Sequence, residues 1–483
     1  MCSFRGPNGE EPWAFDPGSI KGSSSVPEAA AGRVSRSATL PVVKRFLCTL
    51  GVAIVLTCPS AVSANGRFPA TNSLVVAPRD SSFLVLRATY GVLVSKDSGK
   101  HWDWVCEQSL GFSGIEDPPL ALTEKPAIVG ALFAGVTVSH DQGCSFSILK
   151  GEIDKRVMND VVVAKSRPRE VLAIASSYAS RDDAGRNRYQ SNLFVSPDEG
   201  STFRVVGKGI DPTVLIETVE IAESDPKRVY LSGTRDKPTG PEGVVLTSTD
   251  AGETFTEHAI ALLAQERAPF IGAVDPKNPD RIYVRTGGGP ELPRSRLLVS
   301  DDGAKTFREA WASDGPMAGL AISPDGERVY AGSGKDGLWV APKGTLAFEK
   351  RSSIYVQCLT VTEDRVLACS NELSGFVAGE SRDDGRTFTP LLRLSGLRGP
   401  LACGAGTTTH DECLKQWPRV RAELGVPIPD AGAPDAGLPA DPADSSGCGS
   451  VGARARVGGA AAIGVLVVLL GYLFRRRRAP PSA

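Results

Sequence analysis

The chain has 483 residues, with 54 lysines and arginines against 55 aspartates and glutamates and a formal net charge of −1. That balance provides no basic face for a polyanion, which argues against nucleic acid as the partner. Four histidines leave little room for histidine-based metal or triad chemistry, whereas 52 glycines and 35 prolines suit an all-β chain of short strands and tight turns.

Residues 1–42 are polar and rich in glycine, serine and proline. Lys44 and Arg45 then precede an apolar run over 46–57, followed by Pro59 and by Val62, Ser63 and Ala64. A charged start, a short apolar stretch and a small-x-small site form the grammar of a secretory signal. Residues 1–64 are therefore expected to be an upstream extension and signal peptide, cleaved after Ala64. Thr57 fits badly before a lipid-modified Cys58.

A repeated word follows, Ser-x-Asp-x-Gly-x-x-aromatic. It occurs as Ser95, Asp97, Gly99 and Trp102, then as Ser139, Asp141, Gly143 and Phe146. Further copies are Ser196, Asp198, Gly200 and Phe203; Ser248, Asp250, Gly252 and Phe255; and Ser381, Asp383, Gly385 and Phe388. A variant copy has Ser300, Asp302 and Phe307, with Ala304 in place of the glycine. The copies start at residues 95, 139, 196, 248, 300 and 381, and the last gap is long enough for one more. Residues 337–348 fill it, keeping a strand, a turn and Phe348 but losing the Ser and Asp. An apolar strand opens each unit, at Leu74, Leu120, Val161, Val219, Ile271, Leu320 and Leu359. A second strand is clearest after Arg228, Arg281, Arg328 and Arg365, arginines expected to cap strand edges as solvated charges. Four short strands at a period of roughly 40 to 55 residues predict a seven-bladed β-propeller of four-stranded antiparallel blades.

The word resembles the Asp-box, or BNR repeat, and the resemblance covers residues 70–398. Its chemistry needs no ligand. Ser and Asp side chains close bonds to the hairpin backbone, Gly takes the positive φ of the turn, and the aromatic is expected to fill a groove between blades. In proteins with this repeat the boxes sit on the blade periphery, so the resemblance implies staples rather than catalytic carboxylates. Asp-box propellers include sialidases, some endoglucanases and photosystem-assembly proteins. The Arg-Ile-Pro motif of sialidases has only a loose echo in Arg67, Phe68 and Pro69, almost at the predicted cleavage site. The expected function is a binding or scaffold module for a glycan or protein partner. A glycoside hydrolase and an assembly factor for an envelope complex are the alternatives.

One insertion is the best local lead to a ligand. Tyr178, Arg181, Asp182, Asp183, Arg186, Arg188 and Tyr189 fall between the second and third strands of the third unit. Loops protruding from a rigid scaffold are where ligands bind, and Tyr with Arg suits a sugar or an acidic peptide. No metal, cofactor or catalytic residue is read from the chain. Cys and His are not paired at ligand spacing, the loop at Asp183 and Gly185 lacks the acidic density of a Ca²⁺ loop, and Gly287 to Gly289 precede Pro290 rather than a helix N-terminus.

Residues 399–425 carry Cys403 and Cys413 and a short helix expected over 414–424, broken at Pro418. Residues 426–447 repeat Pro, Asp, Ala and Gly and read as an extended linker. Residues 458–474 are apolar and end at four arginines, 475–478, the pattern of a transmembrane helix with its arginine end in the cytoplasm. With Cys448, this 448–478 segment resembles the myxobacterial C-terminal sorting signal. The resemblance implies an anchoring or processing role for Cys448, export and sorting machinery as partners, and a cell-surface location. Once Cys2, Cys48 and Cys58 are removed, seven of the ten cysteines remain. Cys358 with Cys369, Cys403 with Cys413, and Cys106 with Cys144 are the expected pairs, leaving Cys448.

Overall fold

The computed structural model describes residues 69–428 except 115, 209, 265 and 289–293. The signal segment, Gly289, Cys448 and the apolar span at 458–474 lie outside the described residues. Among the described residues no helix is long and apolar enough to cross a membrane.

The strands form seven separate four-stranded sheets, each antiparallel and each in simple up-and-down order. Blade one spans 71–105, and the others span 120–148, 158–206, 214–260, 266–313, 317–352 and 358–392. The sixth blade contains the degenerate copy: strands Gly337–Pro342 and Glu349–Ser352 flank its turn. There the missing Ser and Asp are replaced by a backbone bond, Leu346 N to Pro342 O at 2.9 Å.

Blades of this length bury little alone, so the core is divided among the interfaces. Leu193 and Val206 of blade three pack with Val219 and Val244 of blade four, and Ile282 of blade five packs with Val245 of blade four. The first strand of each blade lies innermost. Asp160 in blade three reaches from such a strand to the next, accepting from Val219 N at 3.1 Å. Up-and-down order puts the first-to-second turns and the repeated word on one face, called here the turn face. The second-to-third hairpins and the links between blades lie on the other, the hairpin face.

Blades one and seven are each built from a single stretch of chain, so no shared strand closes the ring. Side chains tie the seam instead. Thr71 Oγ1 donates to Val377 O at 2.9 Å, and Thr360 Oγ1 donates to Leu74 O at 2.6 Å. The chain beyond blade seven then crosses the seam. It lies parallel to the last strand of blade one, with Trp104 N donating to Gly399 O at 2.6 Å and Leu401 N donating to Trp104 O at 2.8 Å.

Helix Thr408–Leu424 completes this arm, and it corrects two expectations. It starts earlier than expected, capped by the Thr407 side chain, and it continues through Pro418. Proline removes one helix bond, but Trp417 rests on Trp104 with ring centroids 5.5 Å apart and Cys413 is covalently fixed, so tertiary contacts hold the turn. The disulfide pairing also differs. Cys413 bonds Cys106 and Cys144 bonds Cys403, rather than Cys403 with Cys413 and Cys106 with Cys144. The arm runs outward over blades one and two, so its two cysteines each meet a blade before they could meet one another. Cys358 and Cys369 join neighbouring strands of blade seven, with Cα atoms 4.8 Å apart. Three disulfides point to an oxidising compartment.

Candidate functional site

The repeated word is consumed by its own turn. In all six complete copies the Ser hydroxyl donates to the Asp carboxylate at 2.7–2.9 Å. The N–H two residues beyond the Asp donates to the Ser oxygen at 2.8–2.9 Å. In the fourth copy Thr254 adds its N–H at 2.9 Å and its hydroxyl at 2.6 Å to the two oxygens of Asp250. The Thr254 hydroxyl and N–H hold Asp250 down at about 2, so it stays ionised and cannot serve as a general acid. The turn uses two left-handed residues rather than one. Ala251 and Gly252 have φ of 61° and 90°, and the glycine-free copy places Gly303 and Ala304 at 74° and 76°.

The aromatics fill the grooves less completely than expected. Trp102 and Phe146 are 1% and 7% exposed, but Phe203, Phe255, Phe307 and Phe388 are only partly buried. The C-terminal arm lies against the copies in blades one and two, which hold the two most buried of these aromatics.

The arginines that begin second strands reach across to the next blade as straps; Arg228 and Arg281 are mostly buried there, whereas Arg328 keeps half of its side chain in water. Arg228 of blade four pairs with Asp280 of blade five at 2.7 Å. Arg281 donates to Lys343 O of blade six at 2.8 Å, and Arg328 of blade six pairs with Asp384 of blade seven at 2.9 Å. These residues populate the turn face, which also has a groove of about 420 Å³ lined by Thr247, Thr256, His258 and Lys305. Its carboxylates, Asp280 and Asp302, are already engaged by the strap and the staple.

The hairpin face is built differently. Strands Val171–Arg181 and Asn187–Ser196 project as a long hairpin from blade three, and Asp225–Lys237 with Gly240–Ser248 do so from blade four. The first is the insertion singled out in the sequence. At its tip Asp182 accepts from Arg186 N at 2.9 Å and pairs with Arg186 and Arg188 at 2.8 and 2.9 Å, which holds its carboxyl below the ordinary range. Arg181 Nε donates to Asn187 Oδ1 at 3.2 Å, while Tyr178 pairs in register with Tyr189 and is 54% exposed. Asp183 is exposed at the tip.

The second hairpin went unnoticed in the sequence, although its extra length in unit four was the available signal. Between the two lies a cleft of about 410 Å³. Arg186 and Asn187 line one side, Asp211 and Thr213 of the link between the blades the floor, and Arg235, Asp236, Lys237 and Pro238 the other side. Asn187 Nδ2 bridges the hairpins to Asp236 at 2.7 Å. Arg235 is braced by Thr213 Oγ1 at 2.8 Å, Asp211 at 3.1 Å, Glu242 at 3.2 Å and Glu257 at 2.7 Å. Burial opposes ionisation of Asp211, but the Thr213 N–H and hydroxyl and the Arg235 charge outweigh it and hold the carboxyl low.

Nearer the axis, Asp160 and Glu220 stand on the innermost strands of blades three and four. Burial raises both carboxyl groups, and the Asp160 charge raises Glu220 further. Among the described residues no group of three or more His, Cys, Asp or Glu is placed to hold a metal.

No protein-family model matches the sequence, and no curated protein matches it. Solved structures do resemble it. An ancestral GH74 enzyme is 14% identical with a TM-score of 0.49, over 66% of this chain and 46% of that one. This chain thus spans less than half the length of that enzyme. The β-propeller domain of Cps50 (Swd1) from Myceliophteria thermophila is 11% identical, with a TM-score of 0.41 over 63% of this chain and 95% of that one. YCF48 from Cyanidioschyzon merolae is 11% identical, with a TM-score of 0.40 over 62% and 92%.

Proposed function

We propose that the chain is an exported Asp-box propeller, anchored at the cell surface through its C-terminal segment, that works as a binding module for a glycan or protein. Its ligand docks on the hairpin face. One observation carries this reading. Among the described residues, Phe133, Tyr178, Leu263, Tyr355 and Leu373 are all large, apolar and exposed, and all five lie in hairpins or blade links of that face. The other exposed apolar side chains, Val205, Leu414 and Ile428, belong to an outer strand or the arm, and none lies on the turn face. Among the described residues the hairpin face thus offers exposed apolar contacts to a partner and the turn face offers none.

A glycoside hydrolase is the second reading, favoured by the Asp160 and Glu220 carboxyls on adjacent innermost strands. A glycan array probed with the purified protein, run beside sialidase and glucanase assays, separates the two. Binding without turnover supports the module, and turnover lost in Glu220→Gln supports the enzyme. If Phe133→Ala, Tyr178→Ala, Arg186→Ala and Leu373→Ala all leave every captured ligand bound as before, the assignment of the face is wrong.

A further inference from the structure

We infer that the cleft between the hairpins of blades three and four takes a neutral, polyhydroxylated ligand, the class of an uncharged oligosaccharide. The inference rests on the reading of the hairpin face as the binding face and assigns it one site.

The volume of about 410 Å³ falls within the usual range for small-ligand sites, roughly 300–1,000 Å³. Its walls decide the chemistry. Pro238 is the one apolar side chain among the lining residues, so an apolar ligand would gain little there. An anion would find cations, but each is already neutralised. Arg235 pairs with Asp211, Glu242 and Glu257, Lys237 with Glu242, and Arg186 with Asp182. A phosphate, sulfate or sialic carboxylate would have to displace a fixed carboxylate and would then lie against Asp211 and Asp236. A cation would find Asp211 already paired with Arg235 and Asp236 already accepting from the Asn187 amide.

Hydroxyl groups fit what remains. An ionised carboxylate accepts about four hydrogen bonds and a guanidinium donates five, so paired groups keep unused capacity on their open sides. Donors and acceptors alternate around the cleft, from Arg186 and Asn187 to Asp211, Arg235 and Asp236. Neighbouring sugar hydroxyls, each able to donate and accept, can satisfy both kinds at once. The ion pairs also hold these side chains in place before binding, which lowers the ordering cost. Tyr178 adds an exposed flat apolar surface on the same hairpin. It pairs with Tyr189, whose N–H donates to Pro212 O at 2.7 Å, beside the floor residues Asp211 and Thr213.

The test is calorimetric titration of the full-length protein with cellopentaose, maltopentaose and chitopentaose as neutral probes and sialyllactose as the anionic one. One neutral probe is expected to bind, with little change between about 50 and 500 mM salt, because no net charge is neutralised. Arg186→Ala and Tyr178→Ala, both at exposed positions, are expected to weaken it at least about tenfold with an unchanged melting temperature. Thr213→Val supplies a third variant, which removes a hydroxyl bonded to Arg235 and Asp211 but none of the charges. Preference for sialyllactose, steep loss with salt, or no neutral probe bound overturns the inference. If a neutral probe binds and only Phe133→Ala or Leu373→Ala abolishes it, the cleft is wrong while the face is right. Should a protein be captured on the face and no glycan at all, the cleft assignment fails alone.

Discussion

Arg365 of blade seven donates from Nη1 to the Ser98 carbonyl of blade one at 3.1 Å, carrying the arginine strap across the seam of the ring. The same guanidinium pairs with Glu380 at 2.7 Å and reaches Ser81 O at 3.4 Å. The strap repeats at the interfaces from blade four onward and ends where the chain has no strand left to share.

Arg365→Ala should therefore weaken the seam. The guanidinium is 5% exposed, and its loss leaves two carbonyls and a mostly buried carboxylate short of a donor. A cost of about 2–3 kcal/mol is expected, because Arg382 still approaches Glu380 at 3.5 Å. Arg328→Ala, at a side chain 56% exposed, should cost less than about 1 kcal/mol. Urea unfolding of both variants checks the order, and equal costs would count against a special seam.

The two arm disulfides should act as a unit. Each closes a long loop, 307 and 259 residues in sequence, and each alone restrains the arm. Removing Cys144–Cys403 by paired Ser substitutions is expected to cost about 1–2 kcal/mol, because Cys106–Cys413 still holds the helix. Removing both should cost more than the two single losses added, by about 1 kcal/mol or more. Thermal melts of the four proteins in the cycle measure the excess, and peptide mapping without reductant checks the connectivity directly.

Acid should loosen the repeated turns. Asp250 and Asp302 are held at about 2, chiefly by the hydroxyls of Thr254 and Thr306. A carboxyl lowered on folding contributes stability that is full above its unfolded value of about 3.9 and is lost as pH falls through the folded one. Melting temperature should thus drop between about pH 4 and 2, and the drop should shrink in Asp250→Ala. That variant should still bind any ligand of the hairpin face, since its turn lies on the opposite side.

Glu220 predicts the reverse dependence. Burial and the Asp160 charge raise its carboxyl, so the ionised form is penalised in the folded chain. Glu220→Gln should stabilise the protein at neutral pH. The advantage should fade as pH falls below about 4.3, where the carboxyl is protonated both folded and unfolded. Melting curves of both proteins from acid to neutral pH provide the check, and a gap that widens toward acid would contradict it.

The blades were legible because their turn chemistry is local. Ser248, Asp250, Gly252 and Thr254 bond within four residues of one another, so a spacing in the sequence is a geometry in space. Even the degenerate sixth copy could be placed, since strand length and Phe348 survived. What closes the ring was not legible. Cys403 and Cys413 look like a natural pair until the arm is seen to lie across blades one and two, and that path depends on all the intervening blades. Arg228 and Arg281 were visible, but a strand-edge charge and a strap to the next blade have the same sequence. Half of the cleft was seen at Arg186, and the other half, Arg235 and its four partners, required knowing which hairpins stand side by side.

The arm also decides where the molecule bears a mechanical load. Blade one ends just before Cys106, and blades two to seven lie between Cys106 and Cys413. A pull between the beginning of blade one and the end of the arm passes through the Cys106–Cys413 bond. The six blades inside that covalent loop carry no tension, and blade one alone stands in the load path. A molecule stretched by its ends could unravel one blade and keep both long hairpins, with the cleft between them, intact.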